Sequence, residues 1–124
     1  MILVDTSVWV RHLRVADGTL VALLDAGQVL GHPFVTGELA LGNLRRRNLV
    51  IGSLLDLPQA SMATNDEVLQ FIHRYSLHGI GIGYVDAHLL AAVRLSPDAA
   101  LWTQDKALQA AADRLGLAWH ARRE

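Results

Sequence analysis

The chain has 124 residues and a mass of 13.5 kDa, is 52% hydrophobic and 19% charged, and carries a formal net charge of -1. A chain of this length buries roughly 65% of its unfolded surface, which excludes bulk disorder and fits a single domain over residues 1–124. The absence of cysteine excludes a disulfide scaffold, a zinc ribbon, an iron–sulfur centre and a thiol nucleophile, and the near-neutral charge leaves a local patch as the route to any nucleic-acid contact.

In chain order, Ile2 to Val4 reads as a short strand that stops at Asp5. Asp5 or Ser7 is placed to cap a helix through Trp9 and Leu13. Asp17 to Ala26 carries Leu20, Leu23 and Leu24 at helical spacing, and Gly27 follows as a C-cap. Val29 and Leu30 form a very short strand. Pro33 suits the first turn of a helix running through Leu41. Arg45, Arg46 and Arg47 precede an apolar segment from Leu49 to Leu57, which Pro58 ends. Thr64-Asn65-Asp66-Glu67 is a capping box for a helix with Val68, Phe71, Ile72 and Tyr75 on one face. Glycines at 79, 81 and 83 break the chain before a helix from Tyr84 to Leu95. Ala100 to Trp102 is a strand, Thr103 or Asp105 caps a helix that Gly116 ends, and Leu117 to Trp119 is the last strand candidate.

The longest stretch free of Asp, Glu, Lys and Arg is the twelve residues from Ala26 to Gly37. A spanning helix needs about 20 apolar residues, so no transmembrane segment is expected. The N-terminus lacks the basic residue and long apolar core of a signal peptide. The expectation is a soluble, cytoplasmic protein with no membrane partner.

Short apolar runs alternating with helices imply βαβ units, a parallel sheet and helices on both faces. Ligands of such sheets sit beyond the carboxyl ends of the strands. Four acids fall there. Asp5 follows the first strand, Asp86 opens the helix after the glycine run, and Asp105 opens the helix after Trp102. Glu38 has Phe34, Val35, Leu41 and Gly42 as its neighbours one turn away, so it is expected on an apolar face. Taken singly, Asp5, Asp86 and Asp105 also read as ordinary helix-start acids, and Glu38 as the partner of an arginine. Taken together, four carboxylates at one sheet edge repel one another, and hard divalent cations relieve that repulsion. Mg²⁺ and Mn²⁺ serve phosphoryl transfer by activating water and stabilising an in-line transition state.

The strings that carry these acids resemble, in order and spacing, the four motifs of PIN-domain nucleases. They are Val4-Asp5-Thr6-Ser7-Val8-Trp9, Thr36-Gly37-Glu38-Leu39-Ala40-Leu41-Gly42, Tyr84-Val85-Asp86-Ala87-His88-Leu89-Leu90-Ala91-Ala92 and Leu101-Trp102-Thr103-Gln104-Asp105-Lys106-Ala107-Leu108. No one motif is specific; the ordered set, which spans almost the whole chain, is. Size and organisation look most like the VapC toxins of bacterial toxin–antitoxin pairs. The resemblance implies a three-layer α/β/α sandwich around a mostly parallel, five-stranded sheet. It implies an endoribonuclease dependent on Mg²⁺ or Mn²⁺, with the metal on Asp5, Glu38, Asp86 and Asp105 and supporting hydroxyls on Thr6 and Thr103. It further implies an RNA substrate, a cognate VapB-like antitoxin and a homodimer.

Weaker signals have plainer readings. The glycine run fits no dinucleotide-binding pattern, and no phosphate-binding Walker string occurs. Arg45, Arg46 and Arg47 read as a solvated face or as a clamp for RNA phosphates. The six histidines show no zinc spacing; His88, two residues from Asp86, points away from it on a helix and reads as a satisfied structural residue. Two other functions fit less well. One is a non-catalytic PIN-like binding module. The other is a receiver-like phosphorelay domain, which needs an acidic pair where Asp5 is followed by Thr6.

Overall fold

The computed structural model describes residues 1–121. Three strands, β1 (Ile2–Val4), β2 (Val29–Leu30) and β3 (Ala100–Trp102), form a parallel sheet in the order β2-β1-β3. Leu3 pairs with Leu30 on one side and Leu101 on the other. Seven helices among the described residues surround it: α1 (Thr6–Arg14), α2 (Gly18–Asp25), α3 (Pro33–Ala40), α4 (Arg47–Asp56), α5 (Asn65–Arg74), α6 (Tyr84–Leu95) and α7 (Lys106–Leu115). The arrangement is α/β/α around an open parallel sheet.

The five-stranded expectation is corrected to three strands with two isolated parallel bridges, Gly31 to Gln59 and Leu101 to Ala118. Each outer segment makes one bridge and turns away. Gly31 and Ala60 donate the two bonds of the first, to Pro58 O and Gly31 O; Pro58 has no N–H with which to extend the ladder backwards. Leu117 to Trp119 is likewise a bridge at Ala118 rather than a strand, held by Leu101 N–H to Leu117 O and Trp119 N–H to Leu101 O.

Helix boundaries follow local chemistry. Asp17 caps α2 by accepting from the Thr19 and Leu20 amides. His32 caps α3 through its Nδ1, with Pro33 at the first position. Thr64 and Glu67 close the expected capping box on α5. Gly116, at φ 71°, ends α7 in the left-handed region that glycine adopts without strain. The apolar segment after Arg47 is the helix α4, which opens on a left-handed Arg46 with no side-chain cap.

The core lies on both sheet faces. Leu3, Val4, Val8 and Leu20 are fully enclosed, as are Leu89, Leu90, Leu101 and Leu108. Burial at about 25 cal/mol per Å² of apolar surface makes these side chains the main stabilising term. Helix α6 is buried from Ala87 through Val93, so it is a central element rather than an amphipathic cover. No helix among the described residues is long and apolar enough to cross a membrane.

Candidate active site

All three strands run in one direction, so their carboxyl ends share one edge. From that edge β1 feeds Asp5 and α1, β2 feeds α3 with Glu38, and β3 feeds Thr103 and Asp105. Helix α6 brings Asp86 in its first turn. Asp5, Asp105 and Glu38 lie near enough to Asp86 for their charges to raise its carboxyl.

Each carboxylate is anchored through one oxygen. Asp5 is 5% exposed, and its Oδ2 accepts hydroxyl bonds from Ser7 and Thr103, each at 2.7 Å. It sits at the N-cap of α1 but makes no side-chain cap bond, so capping does not explain the acid. Glu38 Oε1 accepts from the Thr6 hydroxyl at 2.7 Å. Asp86 Oδ2 accepts from the Gly83 amide at 3.0 Å. Asp105 Oδ1 accepts from the Leu108 amide at 2.9 Å, which makes it a genuine helix cap as well. The second oxygens, Asp5 Oδ1, Glu38 Oε2, Asp86 Oδ1 and Asp105 Oδ2, make no hydrogen bond among the described residues.

Thr6 and Thr103 thus contact the acids the resemblance assigned them to support. Ser7 also contacts an acid, a role that sequence reading missed; its only signal was a second hydroxyl residue two positions after Asp5. Its Oγ accepts from the Gln104 amide at 3.0 Å, tying the β1 and β3 turns together across the site. Thr103 Oγ1 in turn accepts from the Asp105 amide at 3.0 Å.

Glu38 corrects the sequence reading. It is exposed, not set on a buried face. Of its apolar neighbours Val35 is buried and Phe34 half-buried, while Leu41 at the end of α3 is 91% exposed. Glu38 stands at the lip of a groove of about 640 Å³ shared with Arg14 and Arg45. Of the arginine trio, Arg45 lines this groove, Arg46 is exposed at the left-handed start of α4, and Arg47 donates to Ala40 O and so braces the α3–α4 turn.

Burial pushes the Asp86 carboxyl above its ordinary value, against the Gly83 bond that lowers it, and Asp5, Asp105 and Glu38 add to the rise. Beneath the site, His32 and His88 are buried against the two edges of Phe34, with ring centroids at 5.3 and 4.7 Å. Burial, with His88 nearby, lowers His32 to about 4, and burial lowers His88. Both are therefore neutral near pH 7. His88 is structural, as expected, but not satisfied: neither ring nitrogen has a hydrogen-bond partner, and it packs against the rings of Phe34 and Tyr84 instead.

The donor set suits a hard divalent cation, being all carboxylate oxygen. The four unengaged oxygens and the mutual repulsion at Asp86 fit such an ion, whose charge would offset that repulsion. The acids do not close into a cage: among the described residues no three acidic or histidine side chains meet at coordination distance.

An α/β/α body with acids gathered beyond the ends of parallel strands has the form of a PIN-like domain. Two curated proteins, both ribonuclease VapC32 of Mycobacterium tuberculosis, from strains CDC 1551/Oshkosh and ATCC 25618/H37Rv, are each 50% identical to this chain over 118 residues, which is 95% of either length. The chain belongs to the VapC family of PIN-domain proteins. No protein-family model matches it, and no solved structure matches it significantly.

Proposed function

We propose that this chain is a divalent-metal-dependent endoribonuclease, the toxin of a VapBC-type toxin–antitoxin pair, acting as one PIN-like domain over residues 1–124. The observation that carries the reading is that four carboxylates share one sheet edge, each fixed through one oxygen and open at the other. Family membership at 50% identity supplies the activity class.

Asp5, Glu38, Asp86 and Asp105 hold Mg²⁺ or Mn²⁺. When bound, the ion supplies charge neutralisation at the scissile phosphate and lowers the pKa of water. The protein's own residues do the rest. Asp5, buried and held by Ser7 and Thr103, is the rigid reference point. Asp86 and its neighbours orient the attacking water and take its proton. The water oxygen bonds to phosphorus as the bond to the leaving ribose oxygen breaks, and that oxygen takes up a proton. Arg14 and Arg45, facing Glu38 across the groove, hold flanking phosphates, a task suited to planar guanidinium. Arg46 and Arg47 contribute general positive potential at the same turn.

The antitoxin lies in the apolar groove of about 230 Å³ lined by Trp9, Leu13, Leu24, Leu49 and Leu54, and reaches the acids with a basic side chain. A homodimer accompanies this reading; exposed Leu55, Met62 and Leu69 offer apolar surface for it.

The test is cleavage of RNA by protein freed of co-purifying partners. Mg²⁺ or Mn²⁺ should support cleavage and EDTA should abolish it. Equal cleavage in EDTA, or none in either metal, would contradict the proposal.

A further inference from the structure

Away from the acids, three arginines contact one residue, Tyr75: two over its ring and one at its carbonyl. Tyr75 caps the C-terminus of α5. The Arg74 and Arg94 guanidinium carbons lie 5.6 and 5.3 Å from its ring centroid. Arg114 donates to the Tyr75 carbonyl at 2.7 Å, and Arg94 to the Leu115 carbonyl at 3.3 Å. All three arginines are exposed.

The bonds to carbonyls have a structural purpose. Helix C-termini carry unpaired carbonyls and partial negative charge, and arginine suits both. That accounts for one donor on Arg94 and one on Arg114, out of five on each guanidinium. Among the described residues, none of the three pairs with a carboxylate. Glu67 lines the same groove; its Oε1 accepts the Thr64 amide in the capping box, and it forms no ion pair with these arginines among the described residues. Asp113 pairs with His120 at 2.7 Å. Arg74 and Arg94 therefore line a groove of about 230 Å³ beside Tyr75, with Arg114 bonded to the Tyr75 carbonyl, on a chain whose formal net charge is -1. Like charges held this close repel unless an anion joins them. Free guanidinium donors around a small concavity fit the oxygens of a phosphate.

We propose that Arg74, Arg94 and Arg114, gathered about Tyr75 at the C-terminal ends of α5, α6 and α7, form an exosite for a backbone phosphate of the RNA substrate. This rests on the ribonuclease reading. Asp86 and Arg94 stand at opposite ends of α6, about 12 Å apart along its axis at ~1.5 Å per residue. An RNA several nucleotides long spans that distance, and a dinucleotide at the acids does not. The exosite therefore favours long single strands over short ones without touching the chemistry.

The test is fluorescence anisotropy of a labelled single-stranded RNA of about 20 nucleotides and of a dinucleotide, in EDTA and over a range of salt. It compares the wild-type chain, the pair Arg74→Gln with Arg94→Gln, and the charge-keeping pair Arg74→Lys with Arg94→Lys. Thermal melts check the fold of each. The glutamine pair should bind the long RNA about tenfold more weakly, with a salt slope shallower by about one or two. The lysine pair should recover most of that loss, and dinucleotide binding should not change. Unchanged long-RNA binding in the glutamine pair overturns the exosite, as does an equal loss for the dinucleotide or an absence of RNA binding by the wild type. So does a glutamine pair that keeps RNA but loses an acidic protein partner. If the wild type binds long RNA through these arginines yet cleaves none in Mn²⁺, the exosite stands and the ribonuclease reading falls.

Discussion

Asp86 shows most clearly how the site is balanced between fold and chemistry. Its carboxyl is pushed up by burial and by three neighbouring acids, so the folded chain holds that proton more tightly than the unfolded chain does. Without metal, stability should therefore fall as pH rises from the unfolded value of 3.8 through the raised folded value. Asp86→Asn keeps an oxygen for the Gly83 amide and removes the charge. Above the raised pKa and in EDTA it should melt higher than wild type, by under about 1 kcal/mol because part of the group meets solvent. In Mn²⁺ the order should invert, since wild type gains the ion's binding energy, about 2.7 kcal/mol at a hundredfold excess over Kd. Melts of both proteins in EDTA and in Mn²⁺ check this. A variant that melts lower in EDTA and gains as much from Mn²⁺ would make Asp86 a helix-start residue only.

His32 works in the opposite sense. Its folded value of about 4 lies below the ordinary 6.5, so its contribution is whole above pH 6.5 and is lost as pH falls towards 4. His32→Asn keeps a cap for the Phe34 amide and removes the titration. It should lower stability at neutral pH by leaving a cavity, but its melting temperature should fall less steeply than that of wild type between pH 6.5 and 4. Parallel slopes would remove His32 from the acid response. Two environments differ from what the sequence led one to expect. Glu38 has apolar neighbours in the chain, yet α3 ends two residues later, at the groove lip, and leaves it in solvent. His88 lies two residues from an acid, and only the packing of Phe34 and Tyr84 explains its dry setting.

Elements with chemical punctuation were legible from sequence. Helix α6 spans Tyr84–Leu95 and β3 spans Ala100–Trp102, as expected, because the glycines before α6 and the apolar run of β3 mark them, as the Thr64–Glu67 capping box marks α5. Helix α4 was not legible as a helix, since it starts on Arg46 with no side-chain cap and contains Gly52. One sheet edge, at Gln59, was hidden, and the other, expected over Leu117 to Trp119, is shorter than a strand. One-residue bridges at Gln59 and Ala118 leave no alternating pattern to read. The bridge at Gly31 shows why close approach matters there. A Cβ at this position would lie 2.6 Å from Gln59 Nε2 and 3.2 Å from Leu54 O. Gln59 would have to swing away from the Leu54 and Leu57 carbonyls it now bonds. Gly31→Ala should therefore destabilise by about 1–2 kcal/mol, the scale of a lost hydrogen bond with local crowding. Urea unfolding measures it, and an unchanged midpoint would show that the edge yields freely.

At the scale of the molecule, one topological fact does most of the work. Parallel strands in the order β2-β1-β3 put three chain reversals on one edge, and α6 delivers the fourth acid there. Residues far apart in sequence, such as Asp5 and Thr103, are thereby set at 2.7 Å. The ordered motifs made this convergence legible before any coordinates. The groove that joins Glu38 to Arg14 and Arg45, and the pair of arginines over the Tyr75 ring, are products of helix packing that no local pattern records.

We propose that the four-acid edge carries out metal-dependent cleavage of RNA. Its most direct test is the cleavage rate of purified Asp5→Asn at saturating Mg²⁺, beside wild type. Asn keeps the side chain's shape and its ability to accept from Ser7 and Thr103, while removing the charge a hard cation requires. The account predicts a folded protein whose rate falls by at least about a hundredfold, the scale of a lost catalytic group. A folded Asp5→Asn variant cleaving at the wild-type rate would contradict it.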